Sequence, residues 1–105
     1  MKYENKLWEV LVPKTSNKGT EYPSEHHKVW DEQVMHLTKG MTILSNAKGK
    51  WMNLEEKVFI DELIRVRICC NEDELENILN YALTHYDQEA IFAYEISSNV
   101  KIKYK

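Results

Sequence analysis

Glu62-Leu63-Ile64-Arg65-Val66-Arg67-Ile68-Cys69-Cys70, running directly into Asn71-Glu72-Asp73-Glu74-Leu75, is the stretch that decides the fold. Ile64, Val66, Ile68 and Cys70 alternate with Leu63, Arg65, Arg67 and Cys69, so an extended chain puts an apolar row on one face and the two arginines on the other. The period then changes from 2 to 3.6. Leu75, Ile78, Leu79, Ala82, Leu83 and Tyr86 form one helical stripe, with Glu72, Asp73, Glu76, Asn77 and Asn80 on the wet side. Asn71 is placed to cap that helix, and Glu74 stands three residues on, where a capping box needs it.

Upstream, Leu7–Val12 alternates and stops at Pro13. It reads as a strand with Trp8, Val10 and Val12 on one face and Leu7, Glu9 and Leu11 on the other. Lys14–Thr20 is polar and reads as a loop. Ser24 is suited to N-cap a helix over 25–38, in which Trp30, Val34 and Leu37 share a stripe and Gly40 follows as a stop. Residues 41–45 and 50–52 read as extended, separated by a turn at Asn46-Ala47-Lys48-Gly49. Downstream, Ala90–Ile96 reads as a strand. The tail alternates Val100, Ile102 and Tyr104 with Lys101, Lys103 and Lys105, which is the pattern of a lysine-protected edge strand.

The order strand, helix, strand, strand, helix, strand is βαββαβ. The expected fold is therefore α+β and ferredoxin-like, one domain over 1–105. It has an antiparallel sheet, two helices on one face, a hairpin extension over 46–61 and a C-terminal strand over 98–105. In that topology the first and third strands are neighbours. Glu9 then lies near Arg65 and Arg67 on the helix-free face, with Glu95 expected close by.

Composition fits a folded domain: 105 residues, 43% hydrophobic and 30% charged. A net charge of −3 disfavours binding to nucleic acid through phosphates, and the third strand shows arginines where an RNA-binding sheet would show aromatics. Met1–Lys6 has no apolar core of an export signal and no apolar run approaches a membrane span, so a cytoplasmic location without membrane contact is expected. Cys69 and Cys70 are adjacent, a strained geometry for a mutual disulfide, and read as reduced structural thiols.

No residue pattern specifies catalysis, a metal or a cofactor. His26 and His27 point about 100° apart on a helix, and His27 with Asp31 is a single i, i+4 pair without a third ligand. Only three glycines exist, none in a phosphate-loop pattern. Lys48-Gly49-Lys50-Trp51 reads either as an anion-and-stacking corner or as a hairpin turn with solubilising lysines. The junction His85-Tyr86-Asp87-Gln88-Glu89 gathers polar and aromatic groups, with Glu62 expected nearby. The candidate ligand-binding residues are thus His85, Tyr86, Gln88, Glu62, Trp51, Arg65 and Arg67.

Gly40-Met41-Thr42, Gly49-Lys50-Trp51, Glu62 before a Val/Ile strand, and Gln88-Glu89-Ala90-Ile91 occur in the order seen in an uncharacterised family of small bacterial domains, which residues 18–96 resemble. The layout is also similar to the CutA and nitrogen-regulatory PII proteins, ferredoxin-like trimers with an extended hairpin and a C-terminal strand that reaches a neighbour. An open sheet face, a strand-like tail and three dispersed tryptophans, with no catalytic constellation, point to a non-enzymatic module, a homo-oligomer (dimer or trimer) that binds a small molecule or a protein. The alternative is a small enzyme of the dimeric ferredoxin-like barrel kind, with His26, His85 or Glu62 as acid or base.

Overall fold

A computed structural model describes residues 5–105; most of the Met1–Lys6 segment that bears on an export signal lies outside the described residues. Six elements follow in the expected order: β1 (Lys6–Pro13), α1 (Ser24–Thr38), β2 (Thr42–Met52), β3 (Val58–Cys70), α2 (Glu72–His85) and β4 (Phe92–Ser97). The strands form one antiparallel sheet in the order β2-β3-β1-β4. This is the ferredoxin-like fold.

The alternation in β1 and β3 sets the layers. Trp8 pairs with Ile68, Val10 with Val66 and Val12 with Ile64, so the two apolar rows fall on one side. There they meet Trp30 and Val34 of α1 and Leu75, Ile78 and Ala82 of α2 in a single buried cluster that includes Tyr86. Burying a side chain of this size stabilises by about 1.5–3 kcal/mol, so the stripe rather than helix propensity holds α2 in place. Its start is the capping box expected from sequence. Glu74 N–H donates to Asn71 Oδ1 at 2.8 Å, and Asn71 N–H donates to Glu74 Oε1 at 3.0 Å.

Several boundaries differ from the sequence reading. Ser24 is the first helical residue of α1 rather than its cap; Pro23 holds the cap position, with no side-chain hydrogen bond. Lys39, not Gly40, takes the left-handed conformation that ends the helix (φ 68°). Residues 46–49 do not turn. They lie inside β2, which passes a bulge between Ile43 and Asn46 and continues to Met52, so β3 begins at Val58 rather than Glu62. The reversal is at 53–57, where Asn53 Oδ1 accepts from the N–H groups of Glu55 and Lys57, each at 2.9 Å, and Glu56 adopts φ 63°. A side chain that satisfies two backbone donors does here what glycine does in a shorter turn. β4 begins at Phe92 rather than Ala90. Residues 98–105, expected as a C-terminal strand, form no strand in the single chain.

Candidate functional site

The helix-free face of the sheet carries an ion cluster that spans two neighbouring cross-strand rows. β1–β3 pairing sets Glu9 opposite Arg67, and β1–β4 pairing sets Glu9 opposite Tyr94. Glu9 is only 1% exposed although it lies on the face without helices, because these neighbours close over it. Arg67 Nε donates to Oε1 at 3.0 Å, Arg65 Nη2 to Oε1 at 3.3 Å and Arg65 Nε to Oε2 at 3.4 Å. The Tyr94 hydroxyl donates to Oε2. Burial alone would raise the Glu9 carboxyl pKa, but hydrogen bonds from Tyr94, Arg67 and Arg65 outweigh it and hold the carboxyl below the usual glutamate range. The same hydrogen bond raises the Tyr94 phenol, keeping it protonated.

Sequence reasoning placed Glu9 with Arg65 and Arg67, as observed, but put Glu95 where Tyr94 stands. The β4 register sets Glu95 opposite Trp8, on the other side of the sheet, where it pairs with Lys6 at 3.1 Å. Parity along β4 counted from the Glu9–Tyr94 pair would have found Tyr94. Without the register, a one-residue slip exchanges the two faces.

The row of Arg65 adds aromatics. Phe92 lies opposite Leu11, with its ring 5.8 Å from Tyr94. Trp51 belongs to the β2–β3 arm, which extends past the end of β1, yet its ring lies 5.5 Å from Phe92. Trp51 lies flat across Gly49. A Cβ at Gly49 would come within 2.6 Å of the indole, so the Gly-x-Trp spacing makes room for the ring.

His85, Tyr86 and Gln88 are elsewhere, between the end of α2 and the start of α1. Tyr22, His26, His85 and Tyr81 stack nearly parallel, with ring centroids 4.6, 3.9 and 5.5 Å apart in that order. His26 Nε2 donates to the His85 carbonyl at 2.8 Å, and His85 Nε2 donates to the His26 carbonyl at 2.6 Å. A carbonyl only accepts, so each ring carries its proton on Nε2. His27 Nδ1 meets the Tyr86 hydroxyl at 2.7 Å, and Gln88 Nε2 donates to the Tyr86 carbonyl at 3.1 Å. Burial, with the neighbouring His26 and His85, lowers the His27 pKa; burial raises that of the Tyr86 phenol. This cluster clamps one helix to the other, and an acid–base role would first have to break its reciprocal bonds.

Glu62 joins neither group. It is exposed and lines a cleft of about 260 Å³ with Lys14, Asn46, Ala47 and Lys48, and its backbone carbonyl accepts from Lys14 N–H at 2.9 Å. The seven candidates are therefore divided: Trp51, Arg65 and Arg67 on the helix-free face, His85, Tyr86 and Gln88 at the helix clamp, and Glu62 in the cleft. A larger groove of about 370 Å³ between α2 and β4 is lined by Glu72, Asp73 and Glu76 beside Trp8 and Ile91 and holds none of them. Among the described residues no group of three or more His, Cys, Asp or Glu side chains is placed to hold a metal ion, and no helix is long and apolar enough to cross a membrane.

No family model and no curated protein matches the sequence. Solved structures do match the fold. The periplasmic divalent cation tolerance protein CutA of Archaeoglobus fulgidus superposes with a TM-score of 0.66 at 9% identity, over 94% of this chain and 88% of that one. A phage SAM lyase in complex with S-methyl-5'-thioadenosine gives 0.62 at 9% identity, over 92% of each chain. The GlnK–ATP complex of Bacillus subtilis gives 0.50 at 15% identity, over 88% of this chain and 84% of that one. The chain has the architecture shared by CutA and PII proteins. At these identities the likeness is one of fold, and function must be argued from the residues themselves.

Proposed function

We propose that this chain is a single-domain, non-enzymatic module that assembles as a homo-oligomer and binds a small molecule on the helix-free side of its sheet. One observation carries the reading: the helix-free face and the hairpin arm leave large apolar side chains uncovered. Phe92 is 53% exposed, and on the arm Val58, Phe59, Ile60 and Met52 are exposed, with Leu54 fully so at the tip. Exposed apolar surface of this extent marks an interaction site, and copies meeting through the hairpin arms would cover the apolar side chains there while the helix-free face stays open to a ligand. The strand-like tail, unpaired within its own chain, suits pairing with a neighbour. CutA- and PII-like architecture supports the same reading. Two free thiols fit a reducing compartment, and we assign the protein to the cytoplasm.

Solution mass tests the assembly: light scattering after gel filtration should give a dimer or trimer at micromolar concentration, and a strict monomer would overturn it. A thermal-shift screen tests ligand binding. Because the phage lyase and GlnK structures hold S-methyl-5'-thioadenosine and ATP, these two lead the screen. A ligand at 100 times its Kd stabilises by about 2.7 kcal/mol, which a melting curve resolves.

A further inference from the structure

We propose that Arg65 and Arg67 form an oxyanion site, held ready by Glu9, for a small molecule whose flat aromatic ring lies along Trp51, Phe92 and Tyr94. The inference rests on the ligand-binding reading above and names the chemistry of that ligand.

A guanidinium has five N–H donors. Arg65 uses donors on Nε and Nη2 for Glu9, and Arg67 uses only Nε. Both Nη atoms of Arg67 and Nη1 of Arg65 have no hydrogen-bond partner among the described residues. Two positive charges face one negative, and the phenol beside them stays neutral, so the cluster carries an excess positive charge. Glu9 is saturated and buried, and it fixes both guanidiniums through their Nε atoms. Both arginine side chains remain about a third open to solvent (32% and 34%). Their free edges are thus positioned before a ligand arrives, which removes the ordering cost of binding. Forked donors of this kind suit carboxylate and phosphate.

The aromatics supply the second half. Arg65 shares its cross-strand row with Leu11 and Phe92, one row from Arg67, Glu9 and Tyr94. Adjacent rows lie about 7 Å apart, so a ring against Phe92 and an anion on the free edge of Arg65 or Arg67 fit within one small molecule. Trp51 extends the apolar strip beyond Phe92.

The test uses the full chain and four probes: phenyl phosphate, benzoate, inorganic phosphate and phenol. Calorimetric titration should rank phenyl phosphate or benzoate at least tenfold tighter than phenol, with affinity falling as salt rises. Arg67→Gln should abolish the preference for the anion, and Trp51→Leu should weaken both aryl anions while leaving inorganic phosphate unchanged. Phosphate over benzoate would assign a tetrahedral anion, and the reverse a planar one. Equal affinity for phenol and phenyl phosphate in the wild-type protein would overturn the site without recourse to any variant. So would an Arg65→Glu variant that changes the solution mass while the wild type binds no probe, because the occupant would then be an acidic group of a second copy. A monomeric protein that no compound stabilises defeats the module reading itself; an uncharged ligand bound equally by wild type and Arg67→Gln defeats only the oxyanion site.

Discussion

Trp51 and Phe92 lie on the two outermost strands of the sheet, yet their rings are 5.5 Å apart. In a flat sheet of order β2-β3-β1-β4 three strand spacings, about 14 Å, would separate the two strands, and Trp51 also stands further along the arm than the row of Phe92. The contact exists because the β2–β3 arm runs past the end of β1, so Trp51 and Phe59 pair beyond Leu63, the partner of Pro13. Freed from β1, the arm curls over the helix-free face and partly encloses it.

Gly49 makes that contact possible, so Gly49→Ala should act against the usual trend. Replacing a strand glycine with alanine normally gains about 0.5–1 kcal/mol. Here the new Cβ would meet the indole at 2.6 Å, and we expect a loss of about 1–3 kcal/mol in denaturant unfolding. In Trp51→Ala the same Gly49→Ala change should become neutral or stabilising, and the coupling in a double-mutant cycle measures the packing directly.

The rows of β1 and β3, the α2 stripe and its capping box were legible because each rests on local chemistry that the structure keeps. The hairpin extension over 46–61 was legible, but the position of its turn was not. Asn46 and Gly49 are turn-forming residues by propensity, but Gly49 answers a packing demand from Trp51 two residues on, which only the folded arm reveals. The true tip has no glycine and is held by Asn53 side-chain bonds and a left-handed Glu56, a weaker signal in sequence. Three of the four members of the ion cluster were legible too: Glu9, Arg65 and Arg67 follow from pairing β1 with β3, whereas Tyr94 needed the β4 register. Glu62 was grouped with His85 because strand ends and helix ends meet at one end of this fold, which fixes neither cleft nor contact.

His27 makes the helix clamp sensitive to acid. Its pKa is lowered from 6.5 in the folded chain, so the unfolded chain binds the proton more readily. Stability should therefore fall as pH drops from about 6.5 through the folded value. A charged imidazole can no longer accept from the Tyr86 hydroxyl. His27→Gln should flatten this part of the stability–pH curve, read by urea unfolding at a series of pH values. An unchanged slope would remove His27 as the cause.

Asn71→Ala should cost about 1 kcal/mol, because the Glu74 N–H loses its Asn71 Oδ1 acceptor, while the bond from the backbone N–H of residue 71 to Glu74 Oε1 does not depend on the side chain. Amide exchange should accelerate at residues 73–75 before the rest of α2 responds. Asn71→Asp should restore most of the loss.

Cys69 and Cys70 should differ in reactivity despite being adjacent. Burial, with Glu74 and Cys69 nearby, pushes the Cys70 thiol up to about 12, so almost none of it is thiolate at neutral pH. Cys69 is half-buried on the opposite face. A thiol reagent should label one cysteine in the native protein, the site identified by mass spectrometry as Cys69, and the second only on unfolding. Rapid native labelling of Cys70 would contradict the packing of β3 against α2.

Glu9 should dominate the acid limb of stability at lower pH. Its folded pKa lies below the ordinary value of 4.5, so the unfolded chain binds the proton first as pH falls. The contribution is complete above about 4.5 and is lost as pH falls through the folded value. Glu9→Gln keeps the side-chain shape and one acceptor but leaves two guanidiniums without their counter-charge. Removing one partner of a fully buried pair costs about 3–5 kcal/mol. Arg65 and Arg67 are each a third exposed, so water screens part of the loss, and about 1–3 kcal/mol at neutral pH is expected. The deficit should shrink as pH falls through the lowered folded pKa of Glu9, where the wild-type carboxyl itself takes up a proton. Tyr94→Phe, which removes one donor and leaves both arginines, should cost less and shift the acid midpoint upward. If Glu9→Gln and wild type instead lose stability in parallel down to pH 3, the acid limb belongs to other carboxylates, and the Glu9 cluster is not what holds the helix-free face in place.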